Sequence, residues 1–375
     1  MSQNVLTDLS NIGQSIWLDN ISRSLIKTGE LKKLIEIGLR GITSNPTIFN
    51  NSITSGKEYD EDINRLCQSG KSAFEIYDEL TVKDIQDACD LFMPVYQSTN
   101  KLDGYVSLEI NPKLAYEAHK SIEEAKRLHK KINRPNLMLK VPSTRQGFTA
   151  IEELIALGMN VNVTLIFSVE HYIKSAESNI RGIKRLLQKN GNPRDVHSVA
   201  SVFVSRVDTF CDKMIDEFIS KKAIPQKAIS LKGKAAVSNC KLIYNIYLDT
   251  FYSEEFKQLK TKGANVQRVL WASTSTKNPG YSDIKYVEGL IAENTVNTIP
   301  DTTLDAVIDH CMPKIALTEN IEAAQKIIED LKNINLDVHK ICEKLQEDGV
   351  KAFENSFDLL LKSIKDKTKE ICKIK

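Results

Sequence analysis

Eight short runs of apolar and β-branched residues, spread along 375 residues, constrain this chain more than any other feature. They are SIWLDN (15–20), RGITSNP (40–46), YVSLEI (105–110), LMLKV (137–141), VNVTLIF (161–167), HSVASVFVS (197–205), RVLWAS (268–273) and NTVNTIP (294–300). Between them lie stretches such as KLAYEAHKSIEEAKRLHKKI and VEHYIKSAESNIRGIKRLLQ, whose apolar residues recur at three- and four-residue steps, the period of an amphipathic helix. Strand and helix in alternation imply a parallel sheet, and eight such units close it into an α/β fold, the (β/α)8 TIM barrel. An open doubly wound sheet competes with this reading. It usually carries a glycine-rich loop after its first strand, whereas WLDN here runs into ISR with no G-x-G-x-x-G.

Two segments exceed a minimal barrel. The connection of about 47–104, after the second strand, has room for three helices, including SAFEIYDELTVKDIQDACDLFMPVYQ. The C-terminal tail of about 301–375 has room for three more. The first tail helix is expected to start at Asp301, capped by that carboxylate after Pro300. No Pro/Gly/Ser-rich linker divides the chain, so residues 1–375 read as a single barrel domain with a helical insertion and a helical extension.

Composition narrows the possible partners. With 51 basic against 49 acidic residues the formal net charge is +2, and no stretch concentrates Lys and Arg, so nucleic acid is not expected. No window is apolar for long enough to cross a bilayer, and the N-terminus lacks a basic then apolar leader; a cytoplasmic protein without membrane contact is expected. Seven scattered cysteines show no C-x-x-C and no Cys/His cluster, so neither a disulfide framework nor a metal site is expected.

Function in such barrels gathers at the carboxyl ends of the strands. There the sequence places Asp19, then Thr43 and Asn45, Glu109, Lys140, Asn162 and Thr164, Ser201 and Arg206, and finally Ser273 and Lys277. Most have ordinary uses: Asp19 as a helix cap, Asn45 as a turn before Pro46, Arg206 in a salt bridge with Asp208 or Asp212. Lys140 is harder to dismiss, because a barrel strand is covered by helices outside and side chains inside, and lysine is rarely buried without a role. Desolvation favours the neutral amine, a nucleophile toward ketones that forms a Schiff base. The protonated imine is an electron sink for carbon–carbon cleavage, so no cofactor is expected. Asp19 and Glu109 can handle protons, and Arg206 offers a bidentate fork for phosphate, with Ser201 and Lys277 as further donors.

These residues carry a resemblance. GITSNPTIF (41–49) resembles the first signature of transaldolases, and LMLKVPSTRQGFTAIEELIALGMNVNVTLIFS (137–168) resembles the second. WLDNISR (17–23), VSLEINP (106–112), SVFVSRVD (201–208) and RVLWASTSTKNP (268–279) match in the family's order. The resemblance, closest to the longer bacterial-type branch, implies transfer of a dihydroxyacetone unit from a ketose phosphate to an aldose phosphate, in the non-oxidative pentose phosphate pathway. It implies Lys140 as the imine-forming lysine, Asp19 as acid/base at the cleaved bond, and Glu109 acting through a water near Thr164. It further implies Asn45 and Asn162 on substrate hydroxyls and Ser201 and Arg206 on phosphate. Where many members have a second arginine, this chain reads ASTSTKN (272–278), which points to Lys277 with Ser273. The expected partners are small sugar phosphates, and the expected assembly is a monomer or homodimer. Two alternatives stand beside this reading: a hydrolytic fructose 6-phosphate aldolase on the same scaffold, and a non-catalytic barrel used for binding.

Overall fold

In a computed structural model that describes residues 4–222 and 224–372, eight parallel strands close into a barrel in chain order. They are β1 (Gln14–Leu18), β2 (Gly41–Thr43), β3 (Tyr105–Glu109), β4 (Leu137–Pro142), β5 (Val161–Ile166), β6 (Ser198–Phe203), β7 (Gln267–Ala272) and β8 (Thr295–Ile299). Closure comes from β1 pairing with β8, Gln14 opposite Thr295 through Leu18 opposite Ile299. All eight expected strands are present, and every residue within them is buried. That double-sided burial is why they read as apolar runs rather than alternating ones.

The strand-to-helix turns are fixed by side-chain caps. β2 is shorter than its run because the Asn45 side-chain Oδ1 accepts the Ile48 N–H at 3.0 Å and opens the helix Pro46–Ser55, with Pro46 at its first position. Thr144 caps the helix after β4 and Ser168 the helix after β5 in the same way. A helix that the sequence did not announce, Val5–Ile12, precedes β1 and buries Leu6 and Leu9.

The expected insertion consists of three helices, Pro46–Ser55, Asp60–Gln68 and Ala73–Ser98. The third carries a full capping box between Ser72 and Glu75 and accommodates Pro94 near its end. The tail likewise holds three, Asp301–His310, Ile321–Asn333 and Val338–Ile371. Asp301 is not the cap of the first. It lies inside the opening turn, and its carboxylate instead accepts from Asn20 Nδ2 at 2.9 Å, because the chain after β8 passes directly beside the end of β1. One pairing was not foreseen from the scattered cysteines: Cys67 in the insertion is joined to Cys372 at the end of the last helix, 305 residues away. The other five, Cys89, Cys211, Cys240, Cys311 and Cys342, are free and buried.

The amino end of the barrel is plugged. The Trp17 indole fills the interior over Gly41, where a Cβ would lie 2.6 Å from the ring. Its N–H donates to Asp103, which also accepts from Ser15 and pairs with the buried Arg268 at 3.0 Å. A buried charge held this way is compensated rather than orphaned. Among the described residues no helix is long and apolar enough to cross a membrane.

Candidate active site

At the carboxyl end of the barrel a cavity of about 360 Å³ opens among side chains from seven strand ends and the last helix. Lys140 lies at its base, only 5% exposed, donating to the Ser44 carbonyl at 3.0 Å. Lys140 of β4 stands opposite Glu109 of β3 in the parallel register, and its Nζ is 4.0 Å from Glu109 Oε2. Burial pushes the Glu109 carboxyl up to about 7, against the opposing pull of Lys140 and with a further push from Asp19. Both Glu109 Oε2 and Thr164 Oγ1 are buried with no hydrogen-bond partner among the described residues. Two orphaned polar atoms at one site are the mark of a place for water or a ligand.

Asp19 does not cap a helix; Ser22 does that for the helix Arg23–Lys27. Instead Asp19 lines the cavity and accepts from the Thr43 hydroxyl at 2.7 Å. Its pKa is also raised, by burial first, with Lys140 and Thr43 pulling it back. Thr43 in turn shares a 2.7 Å hydrogen bond with Thr298 of β8, which locks its hydroxyl in place.

On another side of the cavity Arg206 stands over the Phe203 ring, 5.3 Å from its centroid. Neither acidic neighbour in sequence reaches it. Asp208 accepts from the Ala236 N–H, Lys285 and Tyr286, while Asp212 accepts from the Gly233 N–H and Tyr281. Desolvation is the one cause acting on the guanidinium, lowering its pKa, with no carboxylate to raise it. A partly buried cation without an anion is disposed to take one from solution. Ser273, Ser275 and Lys277 line the cavity with it, and Lys277 Nζ donates to Ser275 at 2.7 Å.

Two expected residues, Glu109 and Asn162, do not line the cavity; Glu109 meets the site through its approach to Lys140. Asn162 accepts from Ser201 at 2.6 Å and donates to Ser107 at 3.1 Å, so both ends of its amide are occupied inside the barrel and it does not line the cavity. Ser201 lines the cavity while its hydroxyl hydrogen is given to Asn162. Asn45 keeps its ordinary use as a cap through its oxygen, and still borders the cavity.

The sequence did not point to Phe203, Thr298 or Phe353, all of which line the cavity. Phe353 comes from the last helix and packs on Phe203 with centroids 6.4 Å apart. Only the aromatic in SVFVSRV, at the end of a strand run, carried any signal.

Comparison with known proteins places the chain in a family. The family model described as Transaldolase/Fructose-6-phosphate aldolase matches residues 16–364. A protein named Transaldolase from Trichodesmium erythraeum is 45% identical over 99% of this chain and 99% of its own. Transaldolase 2 of Nostoc punctiforme is 42% identical over 98% and 99%, and a Transaldolase of Thiobacillus denitrificans 42% identical over 96% and 99%. With a barrel of this topology and matches over nearly the whole length, the chain belongs to the transaldolase/fructose-6-phosphate aldolase family.

Proposed function

We propose that this protein is a transaldolase, moving a dihydroxyacetone unit from a ketose phosphate such as fructose 6-phosphate or sedoheptulose 7-phosphate to an aldose phosphate such as erythrose 4-phosphate or glyceraldehyde 3-phosphate. The observation that carries it is a buried Lys140 between two carboxyls, with an unpaired guanidinium in the same cavity.

The Lys140 amine adds to the ketone carbon, and the resulting carbinolamine loses water to leave an iminium. Glu109, 4.0 Å away and titrating near 7, takes and returns the protons of these steps, through a water held against the orphaned Thr164 hydroxyl. Asp19 removes the proton of the hydroxyl on C4, the second carbon from the iminium carbon C2, and the C3–C4 bond is the one that breaks. C4 becomes an aldehyde as that bond breaks, and the bond's electron pair passes into the iminium as an enamine. The aldehyde product leaves, an aldose phosphate enters, and the same steps run in reverse to release the new ketose phosphate. Arg206, with Ser273 and Lys277, holds the phosphate and sets the distance of the reacting carbon from Lys140, while Ser201 keeps its hydroxyl hydrogen on Asn162. Asn45 offers its amide N–H to a substrate hydroxyl, its oxygen being engaged as a helix cap. Asn162, fully engaged, acts by fixing Ser201 and Ser107.

Borohydride reduction in fructose 6-phosphate, followed by peptide mapping, tests the reading. A three-carbon adduct on the peptide holding Lys140, absent in Lys140→Arg, is the expected result, because a guanidinium stays protonated and forms no imine. Erythrose 4-phosphate added before reduction should discharge the adduct into sedoheptulose 7-phosphate. An unmodified Lys140, or discharge to free dihydroxyacetone whether or not the acceptor is present, overturns it.

A further inference from the structure

The last helix, Val338–Ile371, packs against β5, the strand that carries Thr164. β5 is irregular at this point. Its pairing with β6 shifts between Val163 and Ile166, and Leu165, buried, has a φ of +59°, in the left-handed region that disfavours a side chain with a Cβ. Backbone held in such a conformation persists only where the surroundings over-determine it.

Here the surroundings are specific. The Ser143 N–H donates to the Thr164 carbonyl at 2.8 Å, and the Ser143 hydroxyl to the Leu165 carbonyl at 2.8 Å. Gln346 reaches in from the last helix. Its Nε2 donates to the Ser143 carbonyl at 2.8 Å and the Ser143 hydroxyl at 2.7 Å, and also approaches the Leu165 carbonyl at 3.4 Å. One turn on, Gly349 lets the helix lie flat against the same residue, where a Cβ would meet Leu165 Cδ2 at 3.1 Å. Thr164, beside this bulge, lines the cavity, and the far end of the chain holds the bulge.

We propose that Gln346 is a positioning residue: through Ser143 and the Leu165 carbonyl it fixes the β5 bulge that aims the Thr164 hydroxyl at the proton-transfer water. This rests on the role given above to Thr164. It assigns a part in proton handling to the last helix, whose Gln346 never touches substrate.

Gln346→Met keeps the length and apolar stem while removing the donor. Initial rates of borohydride-trapped imine with fructose 6-phosphate should fall about tenfold, with KM for the donor changed less than about twofold, since a small misplacement at a reacting centre acts on rate. In a Thr164→Ala background the same substitution should add less than about twofold, because coupled residues are not additive. An undiminished trapping rate in Gln346→Met overturns the proposal. So does an equal loss in both backgrounds, which is what a purely structural role gives. Ser143→Ala, which removes the other donor to Leu165, supplies the same test if Gln346→Met does not fold. Absence of trapped imine in the wild type would instead sink the reading of Lys140, so the two failures are distinguishable.

Discussion

Glu109, in the role proposed for it, makes stability depend on pH. Its ordinary value of 4.5 is raised to about 7 by burial, so between these values the folded protein holds a proton that the unfolded chain has released. The stabilisation from that proton is complete below about pH 4.5 and is lost as pH rises through about 7, with a ceiling on the order of 3 kcal/mol. Glu109→Gln cannot ionise and should escape this loss. The expected outcome is a Tm that gains on wild type between about pH 5 and pH 8, measured by calorimetry, together with slower imine formation. A pH-independent difference would show that Glu109 titrates alike in folded and unfolded chains. Arg206 makes the complementary point: its acidic neighbours in sequence are bound elsewhere, leaving it free for an anion.

Among the elements, β1 and β2 pair in parallel, and the Trp17 ring packs directly over Gly41. The ring is fully buried and tied to Asp103, so it has nowhere to go. Gly41→Ala should cost roughly 1–3 kcal/mol by overpacking, seen as a lower denaturant midpoint. An unchanged midpoint would mean the two strands separate without strain. The strands themselves were legible because burial on both faces writes itself as an uninterrupted apolar run, and Lys140 was legible because it interrupts one. Less visible was anything decided by a partner distant in sequence. The cap at Asp301 was forestalled by Asn20, the amide of Asn162 was taken by Ser201 and Ser107, and the short helix Val5–Ile12 lacks the length to display its period. Phe353 and Gln346 belong to a helix whose sequence speaks only of its own apolar stripe.

For the whole molecule, the site is assembled from both ends of the chain: Asp19 near the start and Phe353 near the finish line one cavity. Phe353 closes one side over Phe203. Phe353→Ala should admit water to the bound three-carbon intermediate. Free dihydroxyacetone should then rise severalfold as a share of products, assayed by coupled reduction with and without acceptor; an unaltered share would show that the wall is kept by other groups. Because Gln14 pairs with Thr295, the barrel cannot close until most of the polypeptide has been synthesised, and Gln346 and Phe353 arrive later still. A partly translated chain therefore holds Lys140 in an open half-barrel without its wall. Only once Gln346 and Phe353 have emerged does Lys140 come to lie in the enclosed cavity.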